Sequence, residues 1–133
     1  MKLRKTFICE LFRSKVYFYV GMPYEDALLH FVNTVGIEVD PLFKKPSPMM
    51  YGCVLFDREG ACGNYMVWLA DDDYYAMTHE CVHLAYRILE TNQIALNEHT
   101  QEFYANYVEF WVRKFWKAIS KQSKAGRKKH AKH

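Results

Sequence analysis

The stretch Met77-Thr78-His79-Glu80-Cys81-Val82-His83-Leu84-Ala85-Tyr86-Arg87-Ile88-Leu89-Glu90 decides how this chain is to be read. At about 100° per residue, Met77, Cys81, Leu84, Ala85, Ile88 and Leu89 form one apolar arc, while His79, Glu80, His83, Arg87 and Glu90 fall on the other side. Asp71, Asp72 and Asp73 supply N-cap candidates and favourable charge, so a helix is predicted from there to about Glu90. The helix carries a core face and a polar face at once.

Upstream, Tyr51 to Phe56 and Tyr65 to Ala70 are β-rich runs flanking Asp57-Arg58-Glu59-Gly60, which predicts an antiparallel hairpin. Val16 to Val20 reads as a short strand ending at Gly21. Pro23, Glu25 and Asp26 open a helix whose stripe Ala27, Leu28, Phe31, Val32 and Val35 stops at Gly36. Residues 37–50, with Pro41, Pro46 and Pro48, read as a loop. Downstream, a turn over Thr91 to Leu96 leads to Asn97 or Thr100 as the cap of a last helix reaching roughly Ile119. The expectation is one α+β domain over residues 1–120, a short antiparallel sheet packed on two helices, followed by a basic, disordered tail over 121–133.

Composition agrees with a globular chain: of 133 residues, half are hydrophobic and 17% aromatic. No apolar run has the ~18 residues of a membrane span, so no membrane role is expected. Cys9, Cys53, Cys62 and Cys81 show no Cys-x-x-Cys spacing, which argues against ribbon-type zinc and suits a reducing cytoplasm. Cys53 and Cys62 flank the hairpin turn, and Cys81 falls on the core side of its helix. Charge is segregated. Residues 16–112 hold fourteen acids against four bases, and the two ends together hold fourteen bases against one acid.

His79-Glu80-Cys81-Val82-His83 is a His-Glu-x-x-His motif on a helix, the context its chemistry requires. Two histidines one turn apart can direct imidazole nitrogens at one ion, most suitably Zn2+, while Glu80 is displaced toward a water as general base. A catalytic zinc needs a third protein ligand. The extended motif with a glycine and a third histidine is absent, because Tyr86 and Leu89 stand at those places. The following helix offers Glu98, His99, Glu102 and Glu109. Antiparallel packing favours Glu102, with His99 its main competitor and Asn106 one turn later to orient a ligand histidine. Tyr104, Tyr107, Arg87 and His99 are the candidates for stabilising an oxyanion.

The runs Tyr51 to Asp57, Met66 to Leu69, His79 to Glu90 and Glu102 to Tyr107 resemble the small zincin-like proteins of tailed bacteriophages, minimal metallopeptidase-like domains of the gluzincin type. The resemblance spans about half the chain and leaves residues 1–50 and the basic tail unexplained. It implies His79 and His83 as zinc ligands, Glu80 as base and Glu102 as third ligand, with Asn106 at the acidic or amide position four residues later. It also implies a zincin-like fold, a peptide or protein substrate, and the cytoplasm of an infected host. Tyr65 to Ala70 would be the edge strand that an extended peptide joins, with Val67 or Trp68 lining the cleft.

Three classes of function follow. The first is a zinc-dependent peptidase; the second, a non-catalytic zinc-organised protein that contacts a host or virion component. The third is a nucleic-acid-associated protein whose tail, residues 121–133, contacts polyanions.

Overall fold

The computed structural model describes residues 1–37, 51–56 and 63–131, without the side chains of 56 and 127–131. Its elements run β1 (Leu3–Cys9), β2 (Ser14–Val20), α1 (Tyr24–Val35), β3 (Gly52–Phe56), β4 (Asn64–Leu69), α2 (Tyr74–Thr91) and α3 (Gln101–Ala131). Most of the expected 37–50 loop, the turn at 57–60 and Cys62 lie outside the described residues.

The four strands form one mixed sheet in the order β1-β2-β4-β3. β1 and β3 run antiparallel to β2 and β4 respectively, whereas β2 and β4 are parallel, with Val16 opposite Tyr65 and Val20 opposite Leu69. The expected sheet was wholly antiparallel. Its hairpin is present, but β4 leaves the hairpin to join β2 in parallel, and that contact depends on partners distant in sequence.

Alternation of side chains divides the core in two. Val16, Phe18, Val20, Tyr65, Val67 and Leu69 point to one face, where they pack with Met77, Cys81, Leu84, Ile88, Trp111 and Phe115 of α2 and α3. Tyr19, Met66 and Trp68 point to the other, against Tyr24, Ala27, Leu28 and Phe31 of α1. Gly36 ends α1 in the left-handed conformation at φ 78°, a geometry that costs glycine little. The result is an α+β domain with one helix on one side of the sheet and two on the other.

β1 was not anticipated. Its sequence Leu-Arg-Lys-Thr-Phe-Ile-Cys is too charged to announce a strand, and only Leu3, Phe7 and Cys9 turn inward. The last helix also departs from expectation, running to Ala131 and not to Ile119. Lys, Gln, Ala and Arg are good helix formers, and the segment beyond Ile119 holds no proline and one glycine, so nothing local stops the helix. Phe18 and Phe115 stack at 4.0 Å between ring centres, and Phe7 meets Phe115 at 5.4 Å, which ties the middle of α3 to the sheet.

Candidate metal centre

The helix that carries the motif starts as its sequence predicts. The Asp73 carboxylate accepts hydrogen bonds from the backbone N–H of Tyr75 at 2.7 Å and of Ala76 at 3.0 Å, capping α2. All six residues assigned to the apolar arc are fully buried, including Cys81. That burial fixes the rotation of α2 about its axis and turns His79 and His83 outward together.

The two histidines are exposed, their Nε2 atoms hydrogen-bonded to each other at 3.1 Å and their rings steeply inclined at 68°. Two nitrogens each about 2.0–2.1 Å from a tetrahedral zinc ion lie about 3.3 Å apart, so the donor pair is separated as two ligands of one ion would be. Desolvation, together with His79 and Arg87, holds the His83 imidazole below its ordinary pKa. A neutral ring is the form that binds metal.

Glu80 differs from the polar-face position expected of it, being only 6% exposed. It leans over Gly52, the first residue of β3: a Cβ built there would lie 2.9 Å from Glu80 Cγ and 3.1 Å from Oε1. Burial raises the Glu80 carboxyl above the ordinary carboxylate range, and His79 opposes the rise. A carboxylate with raised proton affinity is the better proton acceptor near neutral pH. Burial, reinforced by Glu80, also pushes the Cys53 and Cys81 thiols up to about 12, which keeps both protonated. Sequence reasoning missed Gly52; the only signal was a glycine opening a strand.

Glu102 is exposed in the first turn of α3, and with Asn106 it lies about 160° around the helix from buried Tyr104. The residue of this first turn that points inward is Tyr104, whose hydroxyl donates to the Ile94 carbonyl at 2.6 Å in the turn that follows α2. Among the described residues, no group of three or more His, Cys, Asp or Glu stands close enough to hold a metal ion. The structure pairs His79 with His83, buries Glu80 on the residue after His79, and leaves Glu102 and Asn106 exposed on α3.

Tyr107 is buried with its hydroxyl 3.3 Å from Cys9 Sγ, and the Tyr104 hydroxyl is engaged at Ile94. His99 sits 84% exposed beside Glu98 in the turn before α3. Asn97 caps that turn through the N–H groups of His99 and Thr100. Arg87, one turn beyond His83, pairs with Glu90 at 3.2 Å. Tyr75, Val82 and Tyr86 are large, exposed and within about 60° of His79 around α2, forming an apolar rim beside the histidine pair. Sequence reasoning did not single them out, although three apolar positions on a polar face were visible there.

The substrate-strand expectation needs correction. β4 lies between β2 and β3, so both its edges are already paired, and Val67 and Trp68 are buried. Trp68 donates its indole N–H to the Met22 carbonyl at 2.8 Å. Among the described residues, the edge beside Glu80 belongs to β3.

Comparison of the chain with family models, with characterised proteins and with solved structures returned no match.

Proposed function

We propose that the chain is a metal-dependent, peptidase-like hydrolase with His79 and His83 holding the ion, Zn2+ by their chemistry, and Glu80 as general base. The observation that carries this reading is the pair of Nε2 atoms 3.1 Å apart, with a buried carboxylate on the next residue. When bound, a divalent ion would supply Lewis acidity toward a carbonyl oxygen and a lowered pKa for water. The chain's own residues do the rest. Glu80 takes a proton from the attacking water and returns it to the departing amine, its position limited by Gly52 on one side and the helix on the other. Among the described residues β3 pairs only with β4, so its outer edge is the place where an extended peptide would add main-chain hydrogen bonds next to Glu80. Tyr75, Val82 and Tyr86 would shield one flank of such a peptide from water.

A second reading rests on the absence of a third ligand beside the histidines among the described residues. In that reading the metal organises an interaction surface and no hydrolysis occurs. Metal content and peptide cleavage, measured together on wild type, His79→Ala and Glu80→Gln, separate the two. The peptidase reading expects about one zinc per wild-type chain, loss of metal and activity in His79→Ala, and retained metal with nearly all activity lost in Glu80→Gln. Metal retention in His79→Ala would overturn the site. A cleavage rate unchanged by Glu80→Gln would overturn the mechanism.

A further inference from the structure

The structure brings β1, at the start of the chain, beside α3, more than a hundred residues later in sequence. β1 is an edge strand, and its Lys5 lies opposite Phe18, so it emerges on the sheet face that α3 covers. Phe7 on the same face contacts Trp111 and Phe115, and Gln122 Nε2 of α3 donates to the Lys2 carbonyl at 3.4 Å. α3 therefore runs alongside β1 over much of its length.

Along α3, Phe103, Phe110, Lys114, Lys117 and Lys121 fall within an arc of about 60°. All five are exposed. Phe103 and Phe110, 42% and 39% exposed, hold their rings within 10° of the plane of Tyr107 between them. The Lys114 ammonium lies 5.4 Å from the Phe110 ring centre, and Lys5 lies 5.1 Å from that of Phe7. No acid follows Glu109 in the chain, and Glu109 itself is paired with Arg113. The stripe thus begins with parallel aromatic rings and continues as a row of lysines, and Lys5 of β1 emerges on the sheet face that α3 covers.

We propose that this stripe is a track for single-stranded nucleic acid, with bases stacking on Phe110 and Phe103 and phosphates neutralised by Lys114, Lys117, Lys121 and Lys5. Parallel exposed rings in line with a row of cations are what a flexible strand with alternating planar bases and charged phosphates can use. The acidic body favours a narrow polyanion over a wide one. A strand follows the stripe alone, whereas a planar anionic membrane would also confront exposed acids beside it, such as Glu102 and Glu109 of α3. The track is separate from His79 and His83 and stands whether or not that site binds metal.

The test is fluorescence anisotropy of the full chain with a labelled oligothymidylate of about 20 nucleotides, at about 50 and about 200 mM salt. Binding should weaken about tenfold or more in Lys114→Glu/Lys121→Glu, with a salt dependence shallower by about 0.7 in log-log slope per lost contact. Phe110→Ala should weaken binding at least about fivefold, with Phe110→Tyr restoring it, because stacking needs only a ring face. Lys15→Glu, off the stripe, should change affinity less than about twofold. Circular dichroism confirms that each variant is folded. Absence of binding at low salt, equal binding by the lysine variant, or equal binding by Phe110→Ala would each overturn the proposal. So would a duplex or anionic phosphatidylserine vesicles outcompeting the single strand.

Discussion

Glu80 and Gly52 are matched: the carboxylate side chain of α2 occupies the space that a side chain on the first residue of β3 would need. Gly52 pairs with Leu69 across the sheet, so the gap opens on the face that α2 covers. The fold thereby holds a charged group at the edge of its sheet, one residue from an exposed histidine pair, with its freedom restricted on the strand side.

Gly52→Ala should therefore force Glu80 or β3 to move, at about 1–3 kcal/mol of stability. Replacing Glu80 by Ala in the same chain removes the Glu80 atoms that clash, leaving Leu69 Cδ2 at 3.1 Å, and should recover part of that loss. Chemical denaturation of the two single variants and the double variant measures the coupling, expected at about 0.5–3 kcal/mol. Simple additivity would mean that the two residues do not meet.

With Glu102 on the exposed side of α3, Glu102→Ala should leave zinc affinity nearly unchanged, in contrast to His83→Ala. Competition with a chromophoric chelator measures both. A tenfold or greater loss in Glu102→Ala, about 1.4 kcal/mol, would show that metal binding draws the first turn of α3 toward the histidines.

Phe115→Ala should cost about 3–5 kcal/mol, because it removes the stack on Phe18 and the contacts to Phe7 and Trp111 at a fully buried position. Thermal melting reads the loss directly. A small change would mean that α3 is not anchored where these rings meet. Asp73→Ala, removing the cap of α2, should cost only about 1 kcal/mol.

Alkaline pH provides a further check on the α1 side of the sheet. Tyr19 is buried, within 2.7 Å of His30 Nδ1, and burial pushes its phenol up to about 12. A pKa raised in the folded state contributes stability that is complete below the unfolded value near 10 and is lost as pH rises toward 12. Tyr24, Cys53 and Cys81, also raised to about 12, act in the same direction. Tyr19→Phe should accordingly flatten, without abolishing, the fall of the denaturation midpoint between about pH 10 and 12. An unaltered slope would count against burial of that hydroxyl.

The sequence by itself determined what depends on neighbours along the chain. The apolar arc of α2, its Asp73 cap, the Gly36 stop of α1, the hairpin pairing and the outward turn of His79 and His83 all follow from side-chain periodicity and capping chemistry. Only the tertiary structure decided what depends on contacts across the fold. Strand order is one such matter: β4 bonds to β2 through a parallel register that no local pattern encodes, which leaves β3 and not β4 at the edge. The direction of the polar face of α3 is another. Periodicity sets Tyr104, Trp111, Phe115 and Ile119 opposite Glu102, and all four are buried, but only the packing of α3 on the sheet leaves Glu102 in solvent and apart from the histidine pair. β1 itself exists because β2 offers it an edge, not because Leu3 to Cys9 favours a strand alone. Gly52 acquires its meaning in the same way, since the space a glycine leaves has a consequence only when another side chain arrives to fill it.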